Sequence, residues 1–358
     1  MLKGDHVTNY LETIKQITDV DQKAMDQAQK KLDMLTKPQG SLGRLEEISK
    51  QVVGITGKIK TSIKNKAIIT IAGDHGVVAE KVSAFPSEVT PQMVHNFLVG
   101  GAGINVLARH IGARVVIVDV GVASDLKAHP DLIIKKVAYG TKNMSKGPAM
   151  TRQEAIRAIE AGIDVANAEI DKGLDILGTG DMGIGNTTPS SAITAVITQT
   201  DVVSVTGRGT GIDDVLLNNK ISAIKRAIEI NKPDRTNGID VLSKIGGFEI
   251  GAIAGTILAA ASRKIPVVVD GFISGAGALI ACQLQPKVKQ YLIAAHNSRE
   301  QGHKIVLNYL GLKPVLDLDL RLGEGTGAAL AISIVEASMK ILNEMATFEQ
   351  AGVSEKSE

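Results

Sequence analysis

The residues best suited to chemistry lie in Gly178-Thr179-Gly180-Asp181-Met182-Gly183-Ile184-Gly185-Asn186-Thr187-Thr188-Pro189, which packs four glycines into eight positions and adds side-chain donors. Glycine lets a backbone approach an oxyanion, and the N–H groups opening a helix favour negative charge. Gly183, Gly185, Asn186 and Thr187 therefore form a candidate phosphate nest. An ordinary strand-to-helix turn with an N-cap is the competing explanation. Gly178, Gly180 and Gly183 also spell GxGxxG, the fingerprint of a dinucleotide site. That reading needs an acid closing the next strand, whereas Asp201 opens one, and no lysine follows in GK[ST] form.

Other segments repeat the theme. Gly207-Arg208-Gly209-Thr210-Gly211 leads into a helix on which Lys220 flanks the Leu217, Ile221, Ile224 and Ile228 stripe, so its ammonium either leans over the sheet or snorkels to water. Ser298, in His296-Asn297-Ser298-Arg299, is either an N-cap or a phosphate contact. Asp270 is a strand-end acid suited to ribose hydroxyls. Glu324 sits inside Leu322-Gly323-Glu324-Gly325-Thr326-Gly327. In an apolar pocket its pKa would rise into a range useful for a general base; otherwise it is a first-turn glutamate favoured by the helix dipole. Asp74-His75-Gly76 looks metal-like, but the seven histidines carry no HExxH spacing and no cysteine partners, and no GxSxG elbow is present.

These residues must be positioned by a scaffold, and the chain reads as strand–helix alternation. Strands are expected at Ala67–Ile71, Val115–Val118, Asp175–Leu177, Val202–Val205, Val267–Val269 and Leu292–Ala294, with a long helix over Glu154–Glu169. Near-continuous apolar strands between helices predict an α/β fold: a Rossmann-like parallel sheet covered on both faces, with ligands beyond the carboxyl ends of its strands. The first sixty residues read helical, with Ala24, Ala28, Leu32 and Leu35, then Leu45, Ile48, Val52 and Ile55, at three-to-four spacing. A closing helix carries Leu330, Ile334, Ala337, Ile341 and Met345. The expected division is a small all-helical subdomain from both chain ends, residues 1–62 and 327–358, on a large catalytic domain of residues 63–326. The tail from Ser354 to Glu358 is expected to fray.

Composition narrows the function. The 358 residues carry 40 Lys plus Arg against 38 Asp plus Glu, and aromatics are 3% with no Trp. Without basic excess or stacking rings, nucleic acid is not an expected partner. The single cysteine, Cys282, excludes an intramolecular disulfide and cysteine-rich zinc sites. No apolar h-region follows Lys3, Asp5 and His6, and the apolar stretch around Ile250–Ala261 is too short for a bilayer, so no membrane partner and a cytoplasmic location are expected.

Taken in order, Lys37–Arg44 (KPQGSLGR), Gly73–Gly76 (GDHG), Pro86–Thr90 (PSEVT), Gly180–Thr188 (GDMGIGNTT), Gly246–Glu249 (GGFE), Asp270–Phe272 (DGF) and Arg321–Gly327 (RLGEGTG) resemble the nicotinate-nucleotide–dimethylbenzimidazole phosphoribosyltransferases over nearly the whole chain. One departure is visible: Asp181 stands where the family pattern commonly has glutamate. The resemblance implies transfer of 5-phosphoribosyl from nicotinate mononucleotide to 5,6-dimethylbenzimidazole with inversion, giving α-ribazole 5′-phosphate and nicotinate for the cobalamin nucleotide loop. It implies Glu324 as general base and phosphate or ribose contacts from Gly183, Gly185, Asn186, Thr187, Lys220, Asp270 and Ser298. It also implies a benzimidazole slot near Ser83, Met93 and Leu322, no metal or redox cofactor, small-molecule substrates as partners, and a homodimer. The alternatives from other classes are an NAD-binding oxidoreductase and a non-catalytic nucleotide-binding protein.

Overall fold

The computed structural model describes residues 10–209 and 211–354. Lys3, Asp5, His6, Thr210 and the tail residues 355–358 lie outside the described residues. The strands are β1 (Lys66–Gly73), β2 (Ala113–Gly121), β3 (Leu132–Ile134), β4 (Ile176–Met182), β5 (Val267–Val269) and β6 (Leu292–Ala294). All pair in parallel, in the order β3-β2-β1-β4-β5-β6. Chain direction across the sheet reverses between β1 and β4, and such switch points open a crevice beyond the strand ends.

Helices precede, link and follow these strands. They are α1 (Tyr10–Lys15), α2 (Gln22–Asp33), α3 (Arg44–Thr56), α4 (Val89–Leu98), α5 (Gly103–Ile111), α6 (Arg152–Asp171) and α7 (Thr187–Thr198). They continue with α8 (Val202–Val205), α9 (Asp214–Asn231), α10 (Gly238–Ile245), α11 (Phe248–Ser262) and α12 (Phe272–Leu284). The last are α13 (Gln301–Leu310), α14 (Thr326–Glu344) and α15 (Phe348–Ala351).

β1 shows how the sheet feeds two cores. Its eight residues are all buried, and successive side chains point to opposite faces. Ala67, Ile69 and Ile71 meet the layer containing α6, α7, α11 and α12, while Ile68 and Ala72 meet α2, α3, α5 and α14. The first layer is held by a close crossing of α6 and α11. A Cβ on Gly162 would fall on the carbonyl of Ala252, and one on Gly255 on the carbonyl of Ile159. The chain ends meet in the second layer, where Leu35 bridges Thr347 and Thr36 N donates to the Ala346 carbonyl at 3.0 Å. The stretch 1–62 does not stay on one side, because α1 packs against α6 and α11 on the opposite face.

Two expectations are corrected and one strand is added. Val202–Val205 is a short helix rather than a strand, because the Asp201 side chain caps it by accepting from Val203 N at 2.8 Å. Its β-branched residues bury Val202 and Val205 in one turn. The edge strand β3 leaves little mark on the apolar pattern because it has only three residues, of which Leu132 alone is fully buried. β4 runs on through Gly178–Met182, so the first two glycines of the presumed loop belong to the sheet.

Candidate active site

β4 explains the glycine pattern. A Cβ on Gly180 would fall on the Glu324 carbonyl, and one on Gly178 would overlap the Ile68 side chain. Gly180 admits the Glu324 segment against the sheet and Gly178 admits Ile68 and α14, so both serve packing. The GxGxxG reading, and with it the dinucleotide fingerprint, therefore fails on geometry. The turn proper is Gly183–Asn186, closed by Asn186 N donating to the Gly183 carbonyl at 3.2 Å and carried round by Gly185 at φ +85°. Asn186 stands at the N-terminal boundary of α7 without a side-chain capping bond, and Pro189 occupies the third helical position, where a missing N–H costs little.

Lys220 reaches this turn from α9. The buried stripe of α9 is Lys220, Ala223, Ile224, Ala227 and Asn231, offset from the expected Leu217/Ile221/Ile228 face. Lys220 is 0% exposed. Its Nζ donates to Thr187 Oγ1 at 2.8 Å and to the Gly207 carbonyl at 3.0 Å. Burial drives its pKa down to about 8, with the Glu300 carboxylate opposing. Ser298 and Glu300 face the same region, Ser298 Oγ accepting from Glu300 N at 3.3 Å. Arg321 donates to the Gly209 carbonyl at 3.2 Å.

Glu324 comes from the loop before α14, at φ +64° between Gly323 (φ +83°) and Gly325 (φ +94°). Its backbone is locked: its N donates to the Asp181 carbonyl at 3.2 Å, and its carbonyl accepts from Thr70 Oγ1 at 2.9 Å. The carboxylate is buried and accepts from Ile104 N, in the first turn of α5, at 3.1 Å. Desolvation raises its pKa above the ordinary glutamate value, and the Ile104 N–H partly offsets that.

Asp270 sits elsewhere. Its Oδ1 accepts from Ala328 N at 2.9 Å and its Oδ2 from Gly325 N at 3.3 Å, so it caps α14 and fastens the Glu324 loop to β5. Burial pushes its pKa up to about 7 against those backbone donors. It does not line the cavity described next. His75 and Glu249 pair at 2.8 Å, both buried, though the angle falls short of a hydrogen bond. Burial would lower the His75 pKa, but Glu249 and then Asp74 carry it upward. The pair underlies the nest, since a Cβ on Gly183 would lie 3.3 Å from His75 Nε2.

A cavity of about 460 Å³ lies over these strand ends. Its lining includes Gly183, Gly185, Asn186, Thr187 and Ser298 together with Glu324, Ser83, Met93 and Leu322. Phe85 and Leu322 are half exposed or more, so apolar surface is open at this site. Of the residues expected here, Lys220 reaches the lining only through Thr187, and Asp270 stands apart.

The family model described as phosphoribosyltransferase matches residues 17–353. The chain belongs to that family. Nicotinate-nucleotide–dimethylbenzimidazole phosphoribosyltransferases of Chloroflexus aggregans and Geobacter sulfurreducens are 58% and 57% identical to it, aligned over 97% and 98% of this chain and 98% and 99% of theirs. A crystal structure of the Thermus thermophilus enzyme of that name superposes with a TM-score of 0.90 at 45% identity, covering 94% of this chain and all of the other.

For a phosphoribosyltransferase, several lining residues carry no separable signal in the sequence. Glu300 and Phe85 reach the cavity only through the fold, whereas Gly209 belongs to the second glycine-rich segment noted in the sequence. Arg321 and His296 lie inside segments that stand out for other residues. Asp181 stands out only as a departure in residue type, and nothing in its spacing says that it faces the cavity.

Proposed function

We propose that the chain transfers the 5-phosphoribosyl group of nicotinate mononucleotide to 5,6-dimethylbenzimidazole with inversion at the anomeric carbon. The products are α-ribazole 5′-phosphate and nicotinate, the former a component of the cobalamin nucleotide loop. The observation that carries this reading is a single cavity lined both by the Gly183–Thr187 turn, which Lys220 supports through Thr187, and by the buried Glu324.

The chemistry balances within that arrangement. One benzimidazole nitrogen forms a bond to the anomeric carbon while the bond to the pyridinium nitrogen breaks. The departing ring keeps the electron pair and becomes neutral, so departure needs no acid. Glu324 takes the N–H proton of the other nitrogen, a role suited to a carboxylate whose pKa is raised by desolvation. Holding two rings and a phosphate in line supplies the remainder by proximity. The exposed faces of Phe85 and Leu322, with Met93, suit a planar apolar acceptor.

We further read the chain as a cytoplasmic homodimer, with α2, α3 and α14 forming the small helical domain on residues 63–326. Among the described residues no helix is long and apolar enough to cross a membrane. The test of function is incubation with nicotinate mononucleotide and a panel of bases, with products identified by mass. A ribazole phosphate from 5,6-dimethylbenzimidazole supports the reading. Failure to form a nucleotide from any base would sink it.

A further inference from the structure

The proposed reaction leaves two carboxyls of the cavity lining without a role, Asp181 and Glu300, and of these Asp181 is the one bonded to both the Gly183–Asn186 turn and the Glu324 segment. It is 5% exposed, lines the cavity, and has a side-chain oxygen, Oδ1, with no hydrogen-bond partner among the described residues. Its other oxygen, Oδ2, accepts from Asn186 Nδ2 at 2.9 Å, tying it to the residue that precedes α7. On the opposite side its carbonyl accepts from Glu324 N, and a Cβ on Gly323 would lie 3.3 Å from Oδ2. Asp181 is thus bonded on one flank to the phosphate turn and on the other to the segment of the proposed base. It therefore shares the cavity wall with both groups. A buried polar atom left unpaired is costly, so an orphan oxygen at a cavity wall is explained by a ligand group that completes it. Asp270, the strand-end acid expected to meet the sugar, already spends its carboxyl on the N–H groups of Gly325 and Ala328.

We propose that Asp181, not Asp270, is the residue that recognises the ribose of the phosphoribosyl donor, through a hydrogen bond from Oδ1 to a secondary hydroxyl of the sugar. The inference rests on the function proposed above and adds a specificity-determining residue to it. Burial, reinforced by Asp270, Glu249 and Glu324, raises the Asp181 pKa well above that of a free aspartate, with Asn186 opposing. The unpaired Oδ1 is placed to meet a sugar hydroxyl. Asparagine at this position keeps a donor and an acceptor in nearly the same volume, whereas alanine keeps neither.

The experiment compares nicotinate mononucleotide with its 2′-deoxy and 3′-deoxy analogues in the wild-type chain, Asp181→Asn and Asp181→Ala. The readout is the ratio of kcat/KM for the ribose donor over each analogue. The same ratio is taken from equilibrium binding, so a variant without turnover still reports. A ratio also cancels any general damage to the phosphate turn from loss of the Asn186 contact. The wild-type chain should prefer the ribose donor by about tenfold or more over at least one analogue. Asp181→Asn should keep most of that preference, and Asp181→Ala should bring it to within about threefold of unity. Undiminished preference in Asp181→Ala overturns the assignment. Transfer by the wild-type chain is measured first: if it is absent, the proposed function falls and this inference with it, whereas transfer with an unchanged ratio removes only Asp181.

Discussion

Glu324 holds its carboxylate between opposed influences: desolvation favours the acid form, and the N–H of Ile104 favours the base. Desolvation prevails, so kcat is expected to rise with pH through a midpoint above 4.5, as checked by a pH–rate profile. Glu324→Gln keeps the shape and removes the basicity. Steady-state kinetics should show a fall in kcat of about 10²- to 10⁴-fold, with mononucleotide affinity within a few-fold of wild type by calorimetry. Lys220 gives a second pH effect of distinct origin. Its ammonium is fully desolvated and titrates near about 8, so donor affinity should fall as pH climbs through that value. Binding near that pH should draw a proton from solution, seen by calorimetry in buffers of different ionisation enthalpy. The unliganded fold shows the opposite sign. Between about 8 and 10.5 the unfolded chain holds a proton on Lys220 that the folded chain does not, so this residue's contribution to stability grows with pH there. Lys220→Met should abolish both effects.

At the scale of elements, the α6–α11 crossing makes a prediction that runs against helix propensity. Alanine normally exceeds glycine inside a helix by up to about 1 kcal/mol. At Gly255 the added methyl would collide with the Ile159 carbonyl, so Gly255→Ala should cost about 1–3 kcal/mol in urea unfolding. The same scale shows where the sequence misleads. The faces of α2 and α3 are legible because apolar residues mark them, Ala24, Ala28 and Leu32 in the first and Ile48, Val52 and Ile55 in the second, although α3 also buries Glu46 and Ser49. In α14 the buried stripe is Ala328, Ala331, Ile332, Val335, Met339 and Leu342, while the expected Ala337 is exposed. In α9 a lysine and an asparagine sit on the buried face. Periodicity locates a helix, but small and polar residues on its inner face shift the apparent phase. The glycines of β4 mislead in a related way. Their spacing reads as a loop because their partner, the Glu324 segment, lies more than 140 residues further along the chain.

For the whole molecule, the six-stranded parallel sheet is legible because buried strands between helices leave little choice of class. The nest and the proposed base are legible as motifs. Their mutual placement is not, since it depends on which strands become neighbours. If the chain is a homodimer, sedimentation equilibrium should give twice the 37.6 kDa chain mass.

The backbone at residues 323–325 turns through three successive left-handed conformations, two borne by glycine and the middle one by the glutamate. An L side chain in that region bears a penalty of order 1 kcal/mol that glycine escapes. Glu324→Gly should therefore melt at a higher temperature than the wild type while losing turnover. A library screened only for heat tolerance would drift towards discarding the very residue the proposed reaction needs, and robustness and reactivity would part company at a single codon.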